Sequence, residues 1–339
     1  HAQELVGPCL AQLASASGKD ALWKALANAV LSGVRVVTYC IMSNHLHLLL
    51  DVPEEGTLEP LDREGLVSVL PRLYDDIFVA GIKQEFDRAE KANDAEWQQK
   101  ILDRFESRRG NLSQFMKELK QRITIFINKK EGRTGTLWEG RFKSVLVEGN
   151  EGALLTMAAY IDLNPVRAGI VGSPEEYRWS GLGEAAAGVV RARDGLGVML
   201  DRALMDNRYT GSWAETEKLY RCYVYDQGRE VTANADLGHK GRKGMSEEQV
   251  EAVIESGGVL SRLDALRCRV RYFSDGMVLG SKAFVNQVFD RERRENGRFG
   301  KKRKTGARSM QGADWGGLQV MRDLRCEVIL QPEVLECER

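Results

Sequence analysis

The chain has 339 residues, 43% of them hydrophobic and 29% charged, and its formal net charge is zero. These are ordinary values for a soluble globular protein of about two domains, and the whole-chain charge says nothing about a polyanionic partner. The six scattered cysteines contain no Cys-x-x-Cys pair, which disfavours a zinc site or disulfide framework and fits a reducing cytoplasm. No apolar stretch reaches the ~18 residues of a membrane span, and no secretory signal is visible.

Residues 10–31 predict an amphipathic helix, because Leu10, Leu13, Leu22, Leu26 and Val30 recur at roughly helical spacing. Gly33 is placed to end it. "VRVVTYCIM" (34–42) is β-branched and aromatic and reads as a strand. "SN" makes a turn, and "HLHLLLDV" (45–52) returns antiparallel. The hairpin is apolar on both faces, so it belongs in the middle of a sheet.

Residues 53–109 are rich in Asp and Glu and patterned as helices, clearest in "LVSVLPRLYDDIF" and "EWQQKILDRFESRR". They read as a solvated helical insertion and are assigned no chemistry. The sign then changes. Seven Lys and Arg stand between Lys120 and Lys143 against two Glu; Leu112, Phe115, Leu119, Ile123 and Phe126 mark one face of a helix, and "EGRTG" is a loop. "RFKSVLVE" reads as a further strand. "EGALLTMAAYIDLNPVRAGIV" (151–171) reads as a helix ended at Asn164–Pro165, since proline disfavours helical geometry in the residue before it. Beyond about residue 185 the chain is less informative, with helical segments near 212–225, 246–256 and 281–293. The run 291–308 holds nine Lys and Arg against two Glu and is a candidate DNA-contacting arm.

Two of only four histidines, His45 and His47, fall one residue apart on the second strand. Side chains two apart share a face, so the imidazoles can converge on a divalent ion. A pair of satisfied sheet histidines is the competing reading. Tyr160 and Asn164 lie four apart on a helix and also share a face. A phenol beside a metal-held phosphate can act as a nucleophile, and the Asn164 amide can supply an oxygen ligand. Alternatively, Tyr160 packs in the core and Asn164 caps the helix before Pro165.

Taken together and in order, "YCIMSNHLHLLL", "GTLWEGRFKSVLVE" and "AAYIDLNPVRAGIV" resemble the IS200-like and REP-associated tyrosine transposases. These belong to the HUH endonucleases, named for the pattern that His45–Leu46–His47 matches. The resemblance covers residues 34–185 apart from the insertion. It implies an α+β, ferredoxin-like domain over residues 1–185, with a helical insertion at about 53–109 and a mostly helical C-terminal extension over 190–339. It further implies cleavage and rejoining of single-stranded or hairpin DNA through a 5′-phosphotyrosine at Tyr160. Mg or Mn would be held by His45, His47 and Asn164, and the enzyme would be cytoplasmic and nucleoid-associated, as a possible homodimer. Lys117, Lys120, Arg122, Lys129, Lys130, Arg133, Arg141 and Lys143 would track phosphates, with Arg167 binding phosphate or pairing with an acid. Trp138 would stack on a base or pack in the core. A domesticated hairpin-binding protein that does not cut is the alternative; a replication initiator or relaxase fits the motifs less well.

The chain departs from that pattern at one end. The family places a central strand before the first helix, and "HAQELVGPCL" does not read as one. With that strand missing the sheet would carry an unpaired interior edge, and the chain, which starts without methionine, would be a truncated and inactive product.

Overall fold

The computed structural model describes residues 2–5, 22, 25–26, 31–54, 56–204, 211–225, 266, 269–270, 272–275, 277–299, 303–311, 313–322 and 329–330. The protein is mixed α+β. Its first sheet is antiparallel and holds β1 (Ala2–Leu5), β2 (Arg35–Ile41), β3 (His45–Asp51) and β4 (Lys143–Ser144), in the order β2-β3-β1-β4.

The predicted hairpin is present. Cys40 lies opposite His47 and Ile41 opposite Leu46, and the Met42 amide donates to the His45 carbonyl across the turn at 2.9 Å. A bulge between Val36 and Thr38 shifts the register farther along. The expectation of a missing central strand is overturned. Ala2–Leu5 pairs on one side with β3, Gln3 against His47, and on the other with β4, Gln3 against Lys143. Four residues of Ala, Gln, Glu and Leu carry no strand signal of their own. A strand flanked on both sides draws its hydrogen bonds from its neighbours' backbones, which need no β-branched side chain to pair with.

Of the helix expected over 10–31, Leu22, Ala25, Leu26 and Leu31 are described; they are helical and buried. Leu10, Leu13 and Val30 lie outside the described residues. Gly33 follows with φ +71°, and a Cβ there would meet Leu58 Cδ1 at 2.6 Å, so both conformation and space call for glycine.

The acidic insertion is helical, as expected: α1 (Arg63–Val69), a 3₁₀ turn (Leu70–Arg72), α2 (Asp76–Lys91) and α3 (Ala95–Glu106). It has a small core of its own, with Leu66, Val79, Ile82, Phe86, Ile101 and Phe105 among its members. Part of its acidity is helix capping. Asp62, Asp75 and Asp94 each accept the backbone N–H three residues on, at 2.7, 2.9 and 2.8 Å.

Helix α4 (Leu112–Glu131) follows. Asn111 caps its start, accepting the Gln114 amide, and left-handed Gly132 ends it. Helix α5 (Glu151–Asp162) starts on Asn150, which accepts the Ala153 amide at 2.9 Å. The chain does not leave helical geometry at Asn164–Pro165. A short helix α6 (Asn164–Arg167) continues there, because proline is tolerated in a first turn, where its missing N–H has no partner to lose.

The two faces of the first sheet are covered differently. Tyr39, Ile41, Leu46 and Leu48 pack beneath α4 and the helix carrying Leu22 and Leu26. On the other face Val37, Cys40 and Leu49 pack against α5, α7 (Gly181–Ala186), α8 (Val190–Leu204) and α9 (Trp213–Tyr225).

"RFKSVLVE" is not one strand. Val145 is buried between β4 and β5 (Leu146–Val147), and β5 joins a second, mixed sheet. There it runs parallel to β7 (Val278–Gly280), which pairs with β9 (Gln319–Val320), itself paired with β8 (Arg308–Ser309). A two-stranded pair, β6 (Arg269–Val270) with β10 (Ile329–Leu330), and helices α10 (Tyr272–Asp275) and α11 (Lys282–Glu295) complete the C-terminal part. The segments expected at 212–225 and 281–293 are α9 and α11; 246–256 lies outside the described residues. Ser281 caps α11, and its hydroxyl and amide both bond Glu148, at 2.9 and 2.5 Å, so the C-terminal sheet is anchored beside β5.

Candidate functional site

Strand period two and the hairpin register decide where the histidines go. Leu46 and Leu48 fill the face beneath α4, so His45 and His47 turn toward α5. Their ring centroids are 4.8 Å apart at 83°. His47 is buried and His45 half-buried. The His45 Nδ1 stands 2.7 Å from Asn44 Oδ1.

Tyr160 descends from α5 onto the pair. Its ring centroid is 6.1 Å from that of His47, at 76°. Asn164 is one helical turn on. It is buried, and its Nδ2 has no hydrogen-bond partner. Rotation of that amide by 180° exchanges Nδ2 for Oδ1, an oxygen donor of the kind hard cations take. Two imidazoles and an unsatisfied amide suit a divalent ion in a mixed N/O site. Among the described residues no three His, Cys, Asp or Glu side chains gather.

Arg167 lies against the same tyrosine. Its guanidinium carbon is 4.0 Å from the Tyr160 ring centroid, and it donates to the Tyr160 and Leu266 carbonyls at 2.7 Å each. On another side Phe273 meets the Tyr160 ring at 4.7 Å, and Trp315 meets Phe273 at 5.5 Å. Tyr160 is 3% exposed beneath these C-terminal residues.

Sequence reading missed Asp162, which is fully buried two residues past Tyr160. It accepts from the Thr38 hydroxyl at 2.9 Å and the Tyr220 hydroxyl at 2.6 Å, tying α5 to β2 and α9. Burial raises its carboxyl to about 7, although those two hydrogen bonds pull the other way. Spacing could not find it, because nothing in "YIDLN" says on which side the aspartate is enclosed. Phe273 and Trp315 were missed for a similar reason: a four-residue helix and an irregular stretch are too short to show a period.

The expected phosphate contacts separate into two sets. Lys120 donates to the Gly140 carbonyl at 2.7 Å and lies 5.1 Å from the Trp138 ring. The Trp138 indole donates to the Lys120 carbonyl and to the Thr124 hydroxyl at 3.1 and 2.8 Å and packs in the α4 core. Arg122 points at the insertion, donating to the Leu73 carbonyl at 3.0 Å and lying over the Tyr74 ring. Lys117, Lys129, Lys130, Arg141 and Lys143 are exposed, and Arg133 is half-buried. Within the run 291–308, Arg303 is spent on packing: it lies over Phe289 and Phe299 and donates to the Gly306 and Met321 carbonyls.

Comparison with models of protein families, with curated proteins and with solved structures finds no match to this chain.

Proposed function

We propose that the chain is a tyrosine nuclease–ligase acting on single-stranded DNA, a member of the IS200-like and REP-associated transposases. The observation that carries this reading is the meeting of His45, His47 and Tyr160 from a strand and a helix more than a hundred residues apart in sequence, with the buried Asn164 amide, its Nδ2 unsatisfied, four residues beyond Tyr160. The fold supports it. The strand order β2-β3-β1-β4, with one helix after β1 and another after β3 on a single face, is the order that a ferredoxin-like sheet would need.

The Tyr160 phenol oxygen attacks the scissile phosphorus. A P–O bond to tyrosine forms, the P–O3′ bond breaks, and the departing 3′ oxygen takes up a proton. The product is a 5′-phosphotyrosine and a free 3′-OH. Attack by another 3′-OH reverses the link and joins strands, so bond energy is conserved and no nucleotide triphosphate is consumed. His45, His47 and Asn164 would hold Mg or Mn, which supplies charge to polarise the phosphorus and offset the developing phenolate. Lys129, Lys130, Arg141 and Lys143 lie open to solvent and offer contacts to the DNA backbone.

An end-labelled hairpin strand incubated with Mg or Mn should give a denaturant-stable protein–DNA adduct that Tyr160→Phe abolishes. Absence of any Tyr160-dependent adduct overturns the reading. A second reading, a hairpin-binding protein that does not cut, draws on the burial of Tyr160 beneath Phe273. It expects salt-sensitive binding, indifferent to Tyr160→Phe, and no adduct.

A further inference from the structure

Arg167, expected to bind phosphate or pair with an acid, lies against Tyr160 in the structure. It donates to two backbone carbonyls, and its guanidinium carbon lies over the Tyr160 ring, 4.0 Å from the centroid. One of those carbonyls is Tyr160's own, in the last turn of α5, where helical donors run out. Pro165 shortens that supply further, because it has no N–H to give back to Ile161. A cation at the C-terminal end of a helix is also favoured by the helix dipole.

Resting on the reading above, we infer that Arg167 is a positioning residue for the nucleophile: it fixes the Tyr160 ring by stacking on its face while gripping the same residue's carbonyl. Guanidinium on the face, Phe273 on another side and His47 across a T-shaped contact restrict rotation of the ring about its side-chain bonds. The positive charge lies where electron density spreads when the phenol oxygen becomes an anion. Only a planar fork can do both jobs. A lysine carries the charge but has neither the flat face nor two fixed donors.

The Leu266 carbonyl ties this device to the C-terminal part, since the same guanidinium holds both. Movement of the segment around Leu266 and Phe273 would free one donor arm of Arg167 and one side of the Tyr160 ring, and would leave the grip on the Tyr160 carbonyl in place.

The test compares the full chain with Arg167→Lys, Arg167→Gln and Arg167→Ala on a labelled hairpin strand with Mg. Adduct formation at saturating DNA is measured beside DNA affinity over a range of salt. We expect the adduct rate to fall about ten-fold or more in all three variants. DNA affinity should stay within about two-fold, and added guanidinium ion should restore part of the rate to Arg167→Ala. Wild-type rates in the variants overturn the inference. So does a loss carried by affinity with a salt dependence shallower by about one unit, the mark of a phosphate contact. A folded Arg167→Ala that guanidinium does not restore also overturns it. If that variant does not fold, the rate-against-affinity split in Arg167→Lys decides. A wild-type chain that gives no adduct at all strikes instead at the nuclease–ligase reading.

Discussion

The two faces of strand β3 come from one alternating stretch and do opposite work. Leu46 and Leu48 point under α4 and are closed off by Phe115, Leu119 and Ile123. His45 and His47 point the other way and meet Tyr160. The difference teaches how alternation divides the work: Leu46 and Leu48 anchor the strand on one face, so that His45 and His47 can be held at fixed spacing on the other, beside the buried Leu49.

That contrast can be broken from either side. The largest effect is on chemistry: Tyr160→Phe should remove adduct formation entirely on a gel while thermal unfolding stays nearly unchanged, since only a hydroxyl is lost. On the opposite face Leu48→Ala should cost about 2–5 kcal/mol in urea unfolding, as buried leucine truncations do. His47→Gln should cost less stability than Leu48→Ala and yet lose the adduct; equal stability losses would mean that the two faces are one core.

Asp162 sharpens the comparison through pH. Its carboxyl binds a proton more tightly folded, at about 7, than in the unfolded chain at the ordinary carboxylate value. Its contribution is therefore complete below the unfolded range and is lost as pH rises from there to about 7, a fall of a few kcal/mol at most. Urea midpoints from pH 4 to 8 should show that decline in the native chain and a flatter profile in Asp162→Asn. The smallest effect belongs to Trp138→Phe, which removes an indole donor bonded to Lys120 and Thr124. About 1 kcal/mol of stability should go, with DNA affinity unchanged within about two-fold; a large affinity loss would restore a base-stacking role.

Much of the site was legible because both of its periods are strong. Two-residue spacing put His45 and His47 on one face, where their rings meet, and the helical pattern put Tyr160 on the helix that packs against them. The hairpin, α4, α5, α9 and α11 were readable for the same reason. Ala2–Leu5 was not, because its partners lie far along the chain and its own residues favour no strand. The second sheet was illegible too: pairs such as Gln319–Val320 are too short to alternate. The contact of Arg167 with the Tyr160 ring was not legible either, because sequence gives its charge and not the ring it lies on.

The five-residue run Lys143–Val147 enters one sheet, buries Val145, and leaves in the other. It is a seam shared by both. Amide protons on β4 and β5 should therefore exchange with deuterium together, and the two sheets should open as one cooperative unit.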